Sequence, residues 1–337
     1  MRYLVGFLLV LTSCTNEPLN EKSFIWADDM NADKERIFES PEIENKINLD
    51  DFEIGARSNL KTNTEKLFIS ATGLRILVID KADPEDNYIL EIPKGRGPGE
   101  VVSFVDYEVY KNRIYIADRG QHKFLIIDLD GNMLQEFIFP EIYIEEIAII
   151  DEETILCYAM GVNEHIFTIL NTKGDIVKSI VKSEPDLNIM MYTGEIHAEE
   201  KNIYFSGYSE PIIKKFSIGE EGLKFSVEVI DSYESANNYM FRADGNSPVQ
   251  GFTEDALYNT RGITVFNDMV FNVPRHNGRA GYKYADMYSI EDGEYVKSFE
   301  LYGYPATNGI QIDSNYIYSL EMDSSRTNLL VMYKNNF

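Results

Sequence analysis

Apolar residues in this chain fall into short runs separated by turns that carry Gly, Asp or Asn, and one order of runs repeats. A strand rich in Ile and aromatics is followed by a turn or loop, then a second apolar strand, and in most copies a Gly-bearing turn and a third strand. The clearest copy reads 112–118, 123–129, the dipeptide Asp130-Gly131, then 133–139. Asp-Gly between two apolar runs is a strong short-range hairpin signal. The same order pairs 66–71 with 75–80, 153–158 with 166–171, 202–206 with 212–217, 268–273 with 286–290 and 315–320 with 329–333.

The first strands of these six copies begin near Leu67, Ile114, Ile155, Ile203, Met269 and Ile317, so successive spacings are 47, 41, 48, 66 and 48. A period of roughly 40 to 50 residues with about four short strands per unit is the mark of propeller blades. The pattern therefore predicts an all-β, six-bladed β-propeller over residues 35–337. Two packed β-sandwiches would be the competing fold, and six similar units argue against them. The one long spacing places an insertion at 232–258, a stretch rich in Asn, Ser and Gly. The last copy supplies only three strands, which would leave an open sheet edge, a liability that β proteins close or cover. The segment 34–50 precedes the first copy and is expected to supply the missing outer strand of the last blade.

The N-terminus departs from the blade pattern. Arg2 and the apolar run from Leu4 to Leu11 lead straight into Leu11-Thr12-Ser13-Cys14. That run is far shorter than the roughly 20 residues a membrane-spanning helix needs, and it fits a secretory signal over 1–13. The tetrapeptide resembles a bacterial lipobox, which makes Cys14 the lipidated residue and 14–34 a polar, acidic tether. Several acyl chains on one Cys give stable attachment where one would be marginal. Thr15 and Glu17 do not resemble an inner-membrane retention signal, so the expected address is the outer membrane. Cys157 is then the only thiol left and has no partner for an internal disulfide; in its β-rich run it reads as a buried core residue.

A formal charge of −25 repels nucleic acid and anionic lipid headgroups. Nucleic acid is excluded as a partner on that ground.

The segment Gly95-Arg96-Gly97-Pro98-Gly99-Glu100, the strands around Val109 and at 114–118, the run 124–128 and the Asp130-Gly131 turn, taken with Cys14, resemble six-bladed TolB-like or NHL-like propeller lipoproteins of Gram-negative envelopes. The resemblance covers nearly the whole chain, and only the lipobox and the Gly-Pro-Gly-Glu segment are specific. It implies the fold more than a function. A single Trp, Trp26, speaks against tryptophan-marked blades, and kelch-type paired glycines and sialidase Asp boxes are absent.

In a propeller the loops that join the second strand to the third, and one blade to the next, emerge on one face. Arg119, Arg275, Arg279 and Arg326 fall in second-to-third loops, Arg75 ends one, and Arg96 and Arg261 lie in or near blade crossovers. That is seven of 12 arginines on one expected face. His122, His165 and His276 lie in the same class of loop. Arginine suits bidentate capture of carboxylate or phosphate. Arg75, Arg96, Arg119, His122, Arg275, Arg279 and Arg326 are therefore the expected ligand-binding set, facing an anionic small molecule, a glycan or an envelope protein. Loops are polar by default, so this distribution has a bland explanation too.

The histidines are not spaced as a zinc motif, and no metal or cofactor is expected. The loop 95–100 lacks the spacing and the following helix of a phosphate cradle and reads as the crossover from blade 1 to blade 2. No nucleophile elbow or His-Glu-x-x-His is present. The expected function is that of a lipid-anchored binding module of the cell envelope; a propeller hydrolase or lyase acting on glycan or peptide is the alternative. Tyr233, Tyr239, Phe241 and Phe252 in the insertion either cover the ligand face or pack back on the blades.

Overall fold

The protein is seen in a computed structural model. It describes residues 37–55, 58–140, 142–158, 165–181, 194–199, 201–207, 213–218, 225–229, 241–242, 251–252, 262–273, 283–291 and 293–337. Cys14 and its tether, Arg261, Arg275, His276, Arg279 and most of the insertion lie outside the described residues.

Six antiparallel sheets follow one another along the chain, each a meander of four successive strands or of three closed by an earlier one. Blade 1 runs from Leu60–Thr62 to Asn87–Glu91, blade 2 from Phe104–Tyr110 to Met133–Ile138, and blade 3 from Glu146–Asp151 to Ile176–Val181. Blade 4 runs from Gly194–Glu199 to Phe225–Val229, blade 5 from Gly262–Phe266 to Tyr295–Glu300, and blade 6 from Tyr304–Ile312 to Asn328–Lys334. The first strand of each blade lies beside the first strand of the next, and that of blade 6 returns to that of blade 1. The chain is thus a six-bladed propeller with its first strands around the axis.

The segment before blade 1 divides between two blades. Phe38–Glu39 adds a parallel fifth strand to Tyr295–Glu300 of blade 5. Ile43–Asn48 pairs antiparallel with Asn328–Lys334 and forms the outer strand of blade 6. Within the long spacing between blades 4 and 5, Phe241–Arg242 pairs with Gly251–Phe252.

The unbroken apolar runs have a simple cause. Each blade is covered on both faces, so both residue parities of a strand are buried. In blade 2, Ile114 and Ile116 pack with Phe68, Ile76 and Val78 of blade 1. Tyr115 and Ala117, one residue out of phase, pack with Ile147, Ile155 and Cys157 of blade 3. Six apolar clusters fill the six junctions, and the one joining Leu330 and Met332 to Leu67 and Ile69 closes the ring. Cys157, in the cluster between blades 2 and 3, is fully buried, and burial alone drives its thiol pKa upward.

The crossover from blade 1 to blade 2 is built around two buried groups. Asp118, fully buried, accepts hydrogen bonds from the backbone N–H groups of Val102 (2.8 Å), Ser103 (3.0 Å) and Gly120 (2.9 Å) and from Gln121 Nε2 (2.7 Å). Within the loop itself, the Glu100 carboxylate turns inward to accept from Gly97 N at 2.6 Å. A Cβ on Gly95 would fall 2.0 Å from that carboxylate, so a side chain here would push Glu100 off its bond to Gly97. Lys123 Nζ, almost buried, donates to the carbonyl of Glu100 at 2.7 Å. The glycines of this segment thus shape a crossover.

Replacing Asp118 by Ala would remove the acceptor of three part-buried backbone N–H groups at once. Each unsatisfied buried donor costs about 1–3 kcal/mol. Asp118→Ala is expected to lower the free energy of unfolding by about 3 kcal/mol or more, measured by urea denaturation, with the urea dependence itself unchanged.

Candidate functional site

The first strands differ from the others in sequence. One parity is apolar and packs on the preceding blade: Tyr107 and Val109 on blade 1, Ile147 and Ile149 on blade 2, Ile196 on blade 3. Ile263 and Val265 pack on blade 4, Ile310 and Ile312 on blade 5, and Leu60 on blade 6. The opposite parity, which a two-residue period turns the other way, carries Lys61, Asp106, Glu108, Glu146, Glu195, His197, Thr264 and Gln311. The ring therefore presents its polar residues in one rotational sense around the axis.

These residues form two layers. In the first, carboxylates satisfy backbone groups of the next blade. Asp106 Oδ2 accepts from Ile147 N of blade 3 at 3.0 Å, and its Oδ1 accepts from Asn59 Nδ2 of blade 1 at 2.9 Å. Glu146 Oε2 accepts from Ile196 N of blade 4 at 2.9 Å. Asn308, in an irregular stretch of the blade 6 inner strand with φ at 50°, donates Nδ2 to Glu146 Oε1 at 2.6 Å. Blades 3 and 6 face each other across a six-membered ring, so this bond spans the axis and closes the channel at that level. Glu195, fully buried, hydrogen-bonds Glu146. Burial, and then the adjacent Glu195 carboxyl, hold Glu146 well above the ordinary carboxylate pKa.

One strand repeat further along, toward the ends of the first strands, lies a cavity of about 280 Å³. It is lined by Lys61, Glu108, Tyr110, His197 and Gln311 over Val109, Ala148, Ile149, Ile150 and Ala198. The lining comes from blades 1, 2, 3, 4 and 6, which can meet only on the axis. Lys61 Nζ and Glu108 Oε2 form an ion pair at 2.7 Å, with side chains 12% and 20% exposed. Burial opposes the charge on Lys61, yet Glu108 and Asp106 together raise its pKa above the ordinary value. Burial also raises the Glu108 pKa, and Lys61 offsets only part of that rise. His197 is pushed down to about 4 by burial and by the neighbouring Lys61 charge, so its imidazole is neutral at neutral pH.

The residues expected from sequence to bind ligand lie elsewhere. Arg75 donates Nη2 to Glu53 Oε2 at 2.5 Å and Nε to the Thr72 carbonyl at 2.9 Å. It lines an open groove of about 530 Å³ with Lys94 and Phe104, between blades 1 and 2. Arg119 donates to Glu145 Oε1 at 3.0 Å and sits 4.4 Å above the Tyr143 ring. His122, at φ 50°, is half-buried with its ring 5.7 Å from Phe139, and its Nδ1 is enclosed without a hydrogen bond. Arg96 is exposed in the crossover loop, and Arg326 is exposed in a turn of blade 6 with φ at 67°. Among these described residues, the bonds of Arg75 and Arg119 go to separate local acids and converge on no common point. The cavity lies on the side of the turns that join first to second strands, opposite the loops that carry these arginines. Sorting residues by loop missed it. The signal was present in the first strands, as Asp106 with Glu108 and Glu195 with His197 two residues apart in otherwise apolar stretches. Among the described residues, no cluster of three or more His, Cys, Asp or Glu side chains is arranged to hold a metal ion.

A family model described as a 6-bladed beta-propeller matches residues 48–246. No curated protein matches the sequence. Among solved structures, an inferred exported protein of Bacteroides fragilis superposes with a TM-score of 0.56 at 14% identity, covering 89% of this chain and 99% of that one. A DUF4221 family member from Bacteroides vulgatus gives 0.55 at 11% identity, covering 88% and 98%. The WD40 repeats of RRP9 give 0.52 at 10% identity, covering 88% and 99%. At these identities the likeness is one of fold.

The His197 environment fixes a pH dependence. Its native pKa lies near 4 against 6.5 ordinarily, so between those values the unfolded chain binds the proton and the folded one does not. The contribution to stability is whole above about pH 6.5 and is lost as pH falls toward 4. At about 1.4 kcal/mol per pKa unit this amounts to about 3 kcal/mol. In urea titrations, the stability difference between wild type and His197→Gln is expected to move against wild type by about that much from pH 7.5 to 4.

Proposed function

Because the chain belongs to the 6-bladed beta-propeller family DUF5128, we propose that it is a binding module of the cell envelope that holds a small polar ligand in the axial cavity. The observation that carries this reading is the convergence of five inner strands on one closed-ended pocket. A concave site with an apolar bed and a few convergent polar groups is where a rigid scaffold binds small molecules. Asn308 and Glu146 give the cavity a floor, so a ligand enters and leaves by one mouth. The rigid ring holds Lys61, Glu108, His197 and Gln311 in place before a ligand arrives, which limits the ordering cost of binding.

Export and anchoring belong to the same proposal. The apolar run before Leu11-Thr12-Ser13-Cys14 supports a cleaved signal with lipid on Cys14, as in the TolB-like and NHL-like envelope lipoproteins that the chain resembles. The solved Bacteroides propeller inferred to be exported accords with such an address. A tether of some 20 residues to an outer-membrane anchor would leave the ring free to sample its surroundings.

A ligand at 100 times its Kd adds about 2.7 kcal/mol to stability, which a thermal-shift screen of small polar compounds on the chain starting at Thr15 detects readily. Ala198→Leu, which extends a half-buried side chain into the cavity, is expected to abolish any such shift, and Arg119→Ala to leave it intact. Loss with Arg119→Ala and not with Ala198→Leu would move the site to the opposite face. Product in the same mixtures, seen by mass spectrometry, would establish the hydrolase or lyase reading instead.

A further inference from the structure

We infer that the axial cavity takes a neutral, multiply hydroxylated ring, a single hexose-sized sugar or the terminal unit of a neutral glycan; this rests on the cavity being the binding site.

The two permanent charges in the lining cancel each other. Lys61 and Glu108 are bonded at 2.7 Å within the channel, and separating a largely enclosed pair to serve a ligand would leave one charge uncompensated. A ligand with a net charge therefore finds no free counter-charge here. An anion would also face the carboxyl layer of Asp106, Glu146 and Glu195 one strand repeat away, and a cation would have to draw Glu108 off Lys61. His197 meets a ligand as neutral imidazole, with one nitrogen a donor and the other an acceptor.

What the lining does offer is a mixed set of hydrogen-bonding groups. Gln311 supplies an amide donor and acceptor, His197 one of each, and the ion pair its remaining ammonium protons and carboxylate lone pairs. A hydroxyl group is likewise donor and acceptor at once, so several hydroxyls on one ring match this alternation. The bed of Val109, Ala148, Ile149, Ile150 and Ala198 provides an apolar surface for the C–H face of a ring. The volume of about 280 Å³ lies just below the ~300–1,000 Å³ of pockets that enclose drug-sized ligands. It suits one ring and not a chain of them, so a longer glycan would engage through its end.

Isothermal titration and saturation-transfer NMR of the chain starting at Thr15 test this with glucose, galactose, mannose, fucose and N-acetylglucosamine. Glucuronate, glucosamine, alanine and glutamate serve as charged or zwitterionic comparators. At least one neutral sugar is expected to bind saturably, with a Kd that changes less than about twofold between low and high salt, since no screened charge pair would be involved. Gln311→Leu, close in size but lacking the amide, should weaken that binding at least tenfold, and Ala198→Leu should abolish it. Unchanged circular dichroism and thermal midpoint would show that both variants are folded. Saturable binding of charged comparators alone, lost in the same variants, would overturn the sugar assignment and keep the site. Neutral-sugar binding unaffected by both variants would overturn the site itself. Saturation by no neutral sugar would overturn the inference.

Discussion

The open inner edge of each blade is the constraint on which the rest of the structure depends. A blade's first strand is paired on one side only, and its other edge faces the axis with backbone groups that water reaches poorly. Buried backbone donors without partners are costly. Here they are met by carboxylates from the neighbouring blade, as Asp106 meets Ile147 N and Glu146 meets Ile196 N. One side chain thus closes an edge and fixes the rotation between two blades. Tyr107 acts similarly between blades 1 and 2, its hydroxyl donating to the Phe68 carbonyl at 2.8 Å inside the junction.

The same arrangement sets the electrostatics of the axis. Carboxylates placed around a narrow channel repel one another, and the structure relieves that in two ways. Burial beside Glu195 raises the pKa of Glu146, which favours its uncharged form, and Glu108 is paired with Lys61. In the cavity lining itself the charges of Lys61 and Glu108 balance each other. The groups that hold the ring together thus lie one strand repeat from those that line the cavity.

Around this axis the apolar junctions supply the bulk of the stabilisation. Because each blade lies between two others, its middle strands have no solvent face, and aromatic residues such as Phe68, Phe124, Phe205 and Phe271 are fully buried. Ring closure by Ile43–Asn48 on blade 6 covers the outer edge of the last sheet. The chain's beginning and end are thereby joined in one sheet, so the closing blade cannot form until both are present.

By itself the sequence determined the repeat. Unbroken apolar strands at a period near 45 residues require sheets buried on both faces, and six of them require a ring, which is why strand positions such as 66–71, 75–80 and 202–206 were legible from local pattern alone. The role of the segment before blade 1 was legible in part, since an unpaired edge demands a strand, but its division between blades 5 and 6 was not. The lining of the axial cavity was not legible in this way. Lys61, Glu108, His197 and Gln311 are separated by up to 250 positions in the chain, and no local spacing relates them. Nor could the arginines be sorted from sequence, because whether Arg75 and Arg119 are free depends on Glu53 and Glu145, acids that the fold brings to them. Strand periodicity is a short-range property that one sequence records; convergence on an axis is a property of closure, and it exists only once the ring is formed.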